Sequence, residues 1–208
     1  MNQYIEYIET GMGYWNSQKQ FRRIAFGPLL LVLLMGVLPG IVLKGGWLIL
    51  ILIMLSSSLA IIFVIFMMSS KPLTIKNKLT MQALIYTNWI VQILLLQTMF
   101  YFMVCGANFL IVLMYIPVLA TPIALGLKNA KRLHLRCVPP RKEWILPFLP
   151  FGWAGIIGAS LAKKFFQRAT NEIAIFFVII SLTILACVFS IGLLAYQKIY
   201  YLKKYTNH

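Results

Sequence analysis

The chain has 208 residues, of which 61% are apolar and 11% charged, with 19 Lys and Arg against four acidic residues. Soluble domains have roughly 45–50% apolar and about 25% charged residues, so this composition excludes a soluble globular fold. The apolar residues form stretches of about 20 residues, the length that a helix needs to cross a hydrocarbon core. The net charge of +15 indicates contact with anionic lipid headgroups rather than nucleic acid, because the basic residues cluster at the ends of these stretches.

The amino-terminal segment has the pattern of a surface helix. Within residues 1–20, Tyr4, Ile8 and Trp15 share one helical face with other apolar residues. The spacing predicts a short amphipathic helix on the cytoplasmic side, lying along the membrane with the tryptophan at headgroup depth. Because its two acidic residues make it a poor binder of anionic lipid, docking on the chain's own loops is an equal alternative.

The apolar stretches predict an all-α integral membrane protein with six transmembrane helices in three hairpins. Basic residues precede the first stretch and recur at 71–78 and in a loop at 128–144. By the positive-inside rule, the amino terminus and this loop are therefore cytoplasmic, and the short turns favour a bacterial cytoplasmic membrane. The predicted spans are 24–43, 47–70, 83–104, 109–127, 145–162 and 172–194.

The fifth stretch, 145–162, allows two interpretations. Its prolines and glycines are compatible with a re-entrant segment, which would leave five spans. Ala154, Gly158 and Ala162 are spaced four residues apart, a pattern that lets two membrane helices pack closely. This spacing favours a crossing helix.

Two amides stand one turn apart in the third span, Asn88 and Gln92. They would either line a path for a solute or form hydrogen bonds between helices, and we favour the second interpretation. The predicted spans contain no Asp and no deeply placed Glu, which argues against a proton-driven pump. We expect no cofactor and no metal.

The loop at 128–144 holds the residues most suited to surface contacts. His134 and Cys137 are three residues apart, a spacing that would suit a membrane cysteine peptidase, but no acidic partner is evident and two prolines follow the cysteine. We therefore predict no catalytic residue, with this pair as the remaining candidate. A further hypothesis pairs Glu6 or Glu9 of the amino-terminal helix with Arg132 or Arg136. The residues expected to face lipid or a partner are Arg132, His134, Arg136, Arg141, Lys142 and Trp144.

The segments Ile116–His134 and Ile145–Ile157 resemble the core of a family of small inner-membrane proteins, the YhaH-like domain-of-unknown-function family 805. Segment 4–26 is similar in plan to that family's amino-terminal signature. The signature positions are matched by Arg132, Leu133, His134 and Trp144, while Leu135 stands where the family has Asp. The resemblance implies that the histidine-bearing loop is cytoplasmic and that the segment after it crosses the membrane. It implies no particular activity.

The sequence thus favours a non-enzymatic multi-pass membrane protein, an accessory or immunity-type subunit that acts through protein and lipid contacts. Its partners would be the anionic inner leaflet and either another membrane protein or a second copy of the chain. The alternative is a small carrier or channel-like component for a neutral or weakly anionic solute. The second alternative is the cysteine peptidase.

Overall fold

The computed structural model describes residues 7–9, 17–37, 47–105, 110–134 and 171–206, and this part of the chain is helical apart from short turns. The predicted all-α class is confirmed for these residues. The helices are α1 (Gln18–Ala25), α2 (Gly27–Val32) with a π-helical turn (Leu33–Val37), α3 (Trp47–Ser69), α4 (Ile75–Cys105), α5 (Ile111–His134), α6 (Asn171–Ser190), a 3-10 turn (Ile191–Leu193) and α7 (Leu194–Thr206).

Four helical stretches among the described residues are long and apolar enough to cross a membrane. They correspond to four of the six predicted spans, although their ends differ. The predicted fifth span, 145–162, lies outside the described residues. The predicted first span, 24–43, is described only up to residue 37, where it comprises the end of α1, α2 and the π-helical turn. The four stretches are Leu48–Ser69, Ile75–Phe102, Ile111–Lys131 and Ile175–Lys204.

Helix α4 lies at the centre of the bundle, and α6 and α7 run antiparallel to it. Near the Cys105 end, Gln97 Nε2 donates to Thr183 Oγ1 at 2.7 Å. Farther along, Thr87 Oγ1 lies 3.0 Å from the Tyr196 hydroxyl. The amino end of α6 therefore lies beside the carboxyl end of α4, and α7 lies beside the start of α4.

Helix α5 runs parallel to α6 and α7. Met114, near the start of α5, accepts a hydrogen bond from Gln97 Nε2 at 3.4 Å, and the Gly126 carbonyl accepts one from Gln197 Nε2 at 2.9 Å. His134 and Asn171, the described residues on either side of segment 135–170, consequently lie at opposite ends of the bundle.

The predicted amphipathic helix over residues 1–20 differs from the structure at its carboxyl end. Residues 7–9 are helical, but Ser17 is extended and caps a separate helix, α1. Ser17 Oγ accepts from the Gln20 N–H, and the Gln20 side chain accepts from the Ser17 N–H, which together form a capping box. Pro28 stands in the first turn of α2, where its missing N–H costs nothing.

Three spans extend farther than their apolar stretches, and the last of them continues through α7 to Thr206. Helix α4 begins at Ile75, where Thr74 Oγ1 accepts from the Asn77 N–H at 3.2 Å. Helix α5 continues to His134, so residues 128–134 are helical where the sequence predicted the start of a loop. These residues favour helix, and their positive charges lie at the helix end that attracts cations.

Two glycines allow close packing around α4. A Cβ on Gly192 would collide with Cγ, Cδ1 and Cδ2 of Tyr86, and a Cβ on Gly27 would collide with the indole of Trp89. The Trp89 ring in turn stacks on Phe189 with ring centroids 4.5 Å apart and planes 4° from parallel. The close approach of α2 and of the 3-10 turn to α4 therefore depends on glycine at both positions.

Candidate functional site

Polar side chains meet inside the bundle where α3 faces α4. Gln92 Nε2 donates to Ser57 Oγ at 3.0 Å and to Asn88 Oδ1 at 3.2 Å, and Ser58 Oγ donates to the same amide oxygen at 3.4 Å. Asn88 and Gln92 are 1% and 0% exposed. We call Ser57, Ser58, Asn88 and Gln92 the central polar cluster, and it links the two helices.

The central polar cluster uses only part of its hydrogen-bonding capacity. Gln92 Oε1 is buried without a hydrogen-bond partner among the described residues, and so are Gln97 Oε1 and Trp89 Nε1. A buried acceptor without a donor costs roughly 1–3 kcal/mol. The cluster thus holds α3 against α4 and keeps one oxygen available to a small hydrogen-bond donor.

Basic side chains gather at one end of the bundle. Arg22 of α1 lies there, where its Nε donates to Ser69 Oγ at 2.8 Å and its guanidinium lies 4.9 Å from the Phe66 ring centroid. Glu172, at the start of α6, is at the opposite end of the bundle. We call the end that holds Arg22 the basic end. Its Lys and Arg residues with described side chains are Lys19, Arg22, Arg23, Lys71, Lys76, Lys78, Lys128, Lys131, Lys198, Lys203 and Lys204.

Tyr7 connects the amino-terminal segment to this basic end. Its hydroxyl donates to Gln197 Oε1 at 2.8 Å and accepts from Asn129 Nδ2 at 3.3 Å. Its ring packs edge-on against Tyr201 and lies 5.2 Å from the Lys198 ammonium. Burial raises the pKa of Tyr7 from its ordinary 10.0 to about 12.

Replacing Tyr7 with phenylalanine should destabilise the protein by about 1–2 kcal/mol, because two hydrogen bonds with α5 and α7 are lost while the ring remains. Thermal unfolding in a mild detergent would measure this as a lower Tm. The matched control is Tyr200→Phe, at a side chain that is 60% exposed, for which we expect a change of less than about 0.5 kcal/mol. Equal shifts for the two variants would contradict the proposed anchoring role of the Tyr7 hydroxyl.

The sequence-predicted residues divide between the described and undescribed parts of the chain. The structure brings Asn88 and Gln92 together, and it places Arg132 and His134 on the last helical turn of α5. Glu9 is exposed, and its proposed pairing with Arg132 or Arg136 stays a prediction. The predicted residues outside the described part are Glu6, Arg136, Cys137, Arg141, Lys142, Trp144, Ala154, Gly158 and Ala162.

Sequence reasoning missed the partners of the two amides. Ser57 and Ser58 belong to the run Ser56–Ser58 inside an apolar stretch. Serines in a membrane helix often form hydrogen bonds to a neighbouring helix, so this run could have indicated the partners. The Tyr7 contacts had no comparable signal, because Asn129 and Gln197 are more than a hundred residues away in sequence.

The fold and the charge distribution together define an all-helical bundle compatible with a multi-pass membrane protein. Its described part contains no group of three or more His, Cys, Asp or Glu side chains arranged to hold a metal ion. No family model, no curated protein and no solved structure matches the chain.

Proposed function

We propose that the protein is a non-enzymatic multi-pass membrane protein, an accessory or immunity-type subunit that acts through contacts with a membrane protein partner. The observation that carries this proposal is the central polar cluster. Asn88 and Gln92 are buried and bonded to each other and to α3. These hydrogen bonds support a role of the two amides in holding helices together, and exposed apolar side chains on α3 and α5 leave an outer surface suited to a membrane protein partner.

The proposed topology has six spans, with the amino terminus and the end of α7 on the cytoplasmic side. Two observations support it. The described Lys and Arg residues share the basic end, as expected for a cytoplasmic face. His134 and Asn171 lie at opposite ends of the bundle. This placement supports a crossing segment between them, as proposed for 145–162, over the alternative of a re-entrant segment.

The proposal includes contact with anionic lipid at the basic end. Each Lys or Arg near an anionic leaflet adds about 1 kcal/mol to the attraction, over roughly a Debye length. Arg136, Arg141, Lys142 and Trp144 follow α5 directly in sequence and would add to this surface. The basic end thereby orients the bundle and presents it to a partner at a fixed depth.

A second candidate function is a carrier or channel-like component for a neutral or weakly anionic solute. The observation that favours it is the buried amide oxygen without a partner, Gln92 Oε1, together with Gln97 Oε1 in the same helix. A solute that donates hydrogen bonds would satisfy these oxygens. Under this alternative, replacing Gln92 with leucine abolishes solute passage while the folded bundle is retained.

The test of the first proposal is purification of the intact protein from its own membrane at native expression level, in a mild detergent, followed by mass spectrometry. We expect a second membrane protein in stoichiometric amount. The control is the same procedure on cells that lack the chain, which removes proteins that bind the support. A preparation that contains only this chain would overturn the accessory-subunit proposal, and the carrier would then be the better candidate.

A further inference from the structure

Helix α7 presents a polar and aromatic face at the basic end. Tyr196 and Tyr200 are 47% and 60% exposed, and Lys203, one turn farther along, is exposed as well. The three residues follow a spacing of four and then three, so they lie on one face of the helix. Lys76, in the first turn of the neighbouring helix α4, is also exposed.

One hydrogen bond fixes how this face is aligned with α4. Thr87 Oγ1 donates to the Ala83 carbonyl at 2.8 Å and lies 3.0 Å from the Tyr196 hydroxyl, so the tyrosine is the donor in the second bond. Leu79 and Ala83 of α4 belong to the same buried cluster as Ala195 of α7, which keeps the two helices side by side toward the basic end. The alignment can therefore be counted outward from the Thr87–Tyr196 pair.

Counting from this pair brings two lysines near one another. In antiparallel helices, seven residues forward along α7 match seven residues back along α4, which is about 10 Å along the axis. Lys203 is therefore level with Thr80. Lys76 lies one turn beyond Thr80, on the face of α4 that also carries Thr87. We call the following residues the α4–α7 edge: Lys76, Thr80, Thr87, Tyr196, Tyr200 and Lys203.

The α4–α7 edge has the charge that an anion requires. Neither α4 nor α7 contains an Asp or Glu, so the two lysines have no acidic partner within these helices. A lysine carries its ammonium on a flexible four-carbon stem that extends toward water. Two such groups about one helical turn apart can contact the same phosphate.

We propose that one anionic glycerophospholipid binds at the α4–α7 edge. Lys76 and Lys203 hold its phosphate, and the rings of Tyr196 and Tyr200 pack against its glycerol and the first part of its acyl chains. This inference rests on the proposed contact of the basic end with anionic lipid and deepens it, because it assigns that contact to a defined site.

The order of side chains along the α4–α7 edge matches the order of chemical groups in such a lipid. Lys203 lies nearest the headgroup, and Tyr200 follows, its ring held edge-on against Tyr201 with centroids 5.6 Å apart. Tyr196 lies deeper and uses its hydroxyl within the protein, so only its ring is offered to the lipid. Val91, deeper still on α4, is 42% exposed and suits an acyl chain. Tyrosine is enriched at this depth because it is apolar in its ring and polar at its tip.

The experiment is native mass spectrometry of the intact protein in a mild detergent, with added phosphatidylglycerol or phosphatidylcholine as the probe. The test variant is Lys76→Gln with Lys203→Gln. The matched control is Lys19→Gln with Lys71→Gln, which removes the same charge from exposed lysines on α1 and after α3. Each lysine beside an anionic headgroup contributes roughly fivefold, so we expect the first phosphatidylglycerol to bind at least about tenfold more weakly to the test variant and at most about twofold more weakly to the control.

The contribution of the tyrosine ring is tested by two further variants. Tyr200→Ala should weaken the binding of phosphatidylglycerol by roughly fivefold, because the apolar surface of the ring is lost, whereas Tyr200→Phe should bind as the natural chain does. Equal binding by the alanine and phenylalanine variants would remove the ring from the site and overturn the inference as stated.

The remaining outcomes separate the site from the broader lipid contact. Equal weakening by the two lysine pairs would show a diffuse attraction and reject the site, while the contact of the basic end with anionic lipid would stand. No preference of the natural chain for phosphatidylglycerol over phosphatidylcholine would reject the site and that contact together. Release of the bound lipid by millimolar inorganic phosphate would assign the two lysines to a free anion instead of a lipid.

Discussion

A Gly192→Ala variant is expected to lose much of the stability of the bundle. The added methyl group would collide with Cγ, Cδ1 and Cδ2 of Tyr86, the part of the side chain nearest its backbone, which cannot swing aside. Overpacking of this kind costs about 1–3 kcal/mol and occasionally more, and we expect the upper end of that range. Thermal unfolding in detergent should show a Tm lower by about 6–12 °C, at about 2–4 °C per kcal/mol for a chain of this size.

Gly126→Ala is the matched control for this prediction. Gly126 also lies in a helix, but its nearest neighbours, on Gln197 and Leu194, would be 3.8 Å from the new Cβ, which is ordinary contact. Alanine is the better helix former by about 1 kcal/mol, so this variant should be as stable as the natural chain or slightly more stable. Equal Tm values for Gly192→Ala and Gly126→Ala would show that α4 and the 3-10 turn do not pack as closely as described.

Gly27→Ala is expected to have the second largest effect. The new methyl group would lie 3.0 Å from Cη2 and 3.1 Å from Cε2 of Trp89, and closer still to Cζ2. The indole cannot retreat easily, because its other side stacks on Phe189. We expect a loss of about 2–3 kcal/mol and a shift of the tryptophan fluorescence as the ring is displaced.

A smaller ring at position 89 should rescue this variant. Trp89→Phe alone leaves space beside Gly27 and destabilises the bundle, but the double variant Gly27→Ala with Trp89→Phe fills that space with the new methyl group. The double variant should be more stable than the sum of the two single changes predicts, by about 0.5–3 kcal/mol, as for other directly contacting pairs. Strict additivity would mean that residues 27 and 89 are not in contact.

Composition and the apolar stretches predicted the helical class and the approximate positions of four helices that are long and apolar enough to cross a membrane. They did not predict where these helices end. Residues 128–134 are too polar to count toward a span, yet nothing among them interrupts a helix, so α5 continues to His134. Likewise α7 continues the last span to Thr206 although it carries Lys198, Lys203 and Lys204.

Of the central polar cluster, only the two amides of α4 were predictable from the sequence. The spacing of Asn88 and Gln92, one helical turn apart, can be read directly from the sequence, and it indicated that they share a face of α4. Their partners were not predictable, because which serine faces an amide depends on the rotation of α3 about its own axis. That rotation is fixed by packing, including the contacts of Met54 and Ile65, both 0% exposed. The same holds for Tyr7, whose partners are set by how three helix ends converge.

The position of α6 beside α4 has a consequence for the order in which the protein is made. The longest helix is completed early, but the surface of α4 that carries Gln97 is covered by residues synthesised some eighty positions later. Until Thr183 is made, the Gln97 amide lacks the shorter of the two hydrogen bonds that it donates in the finished bundle, the other being to Met114. The contact between α4 and α6 therefore forms only after most of the chain has been made.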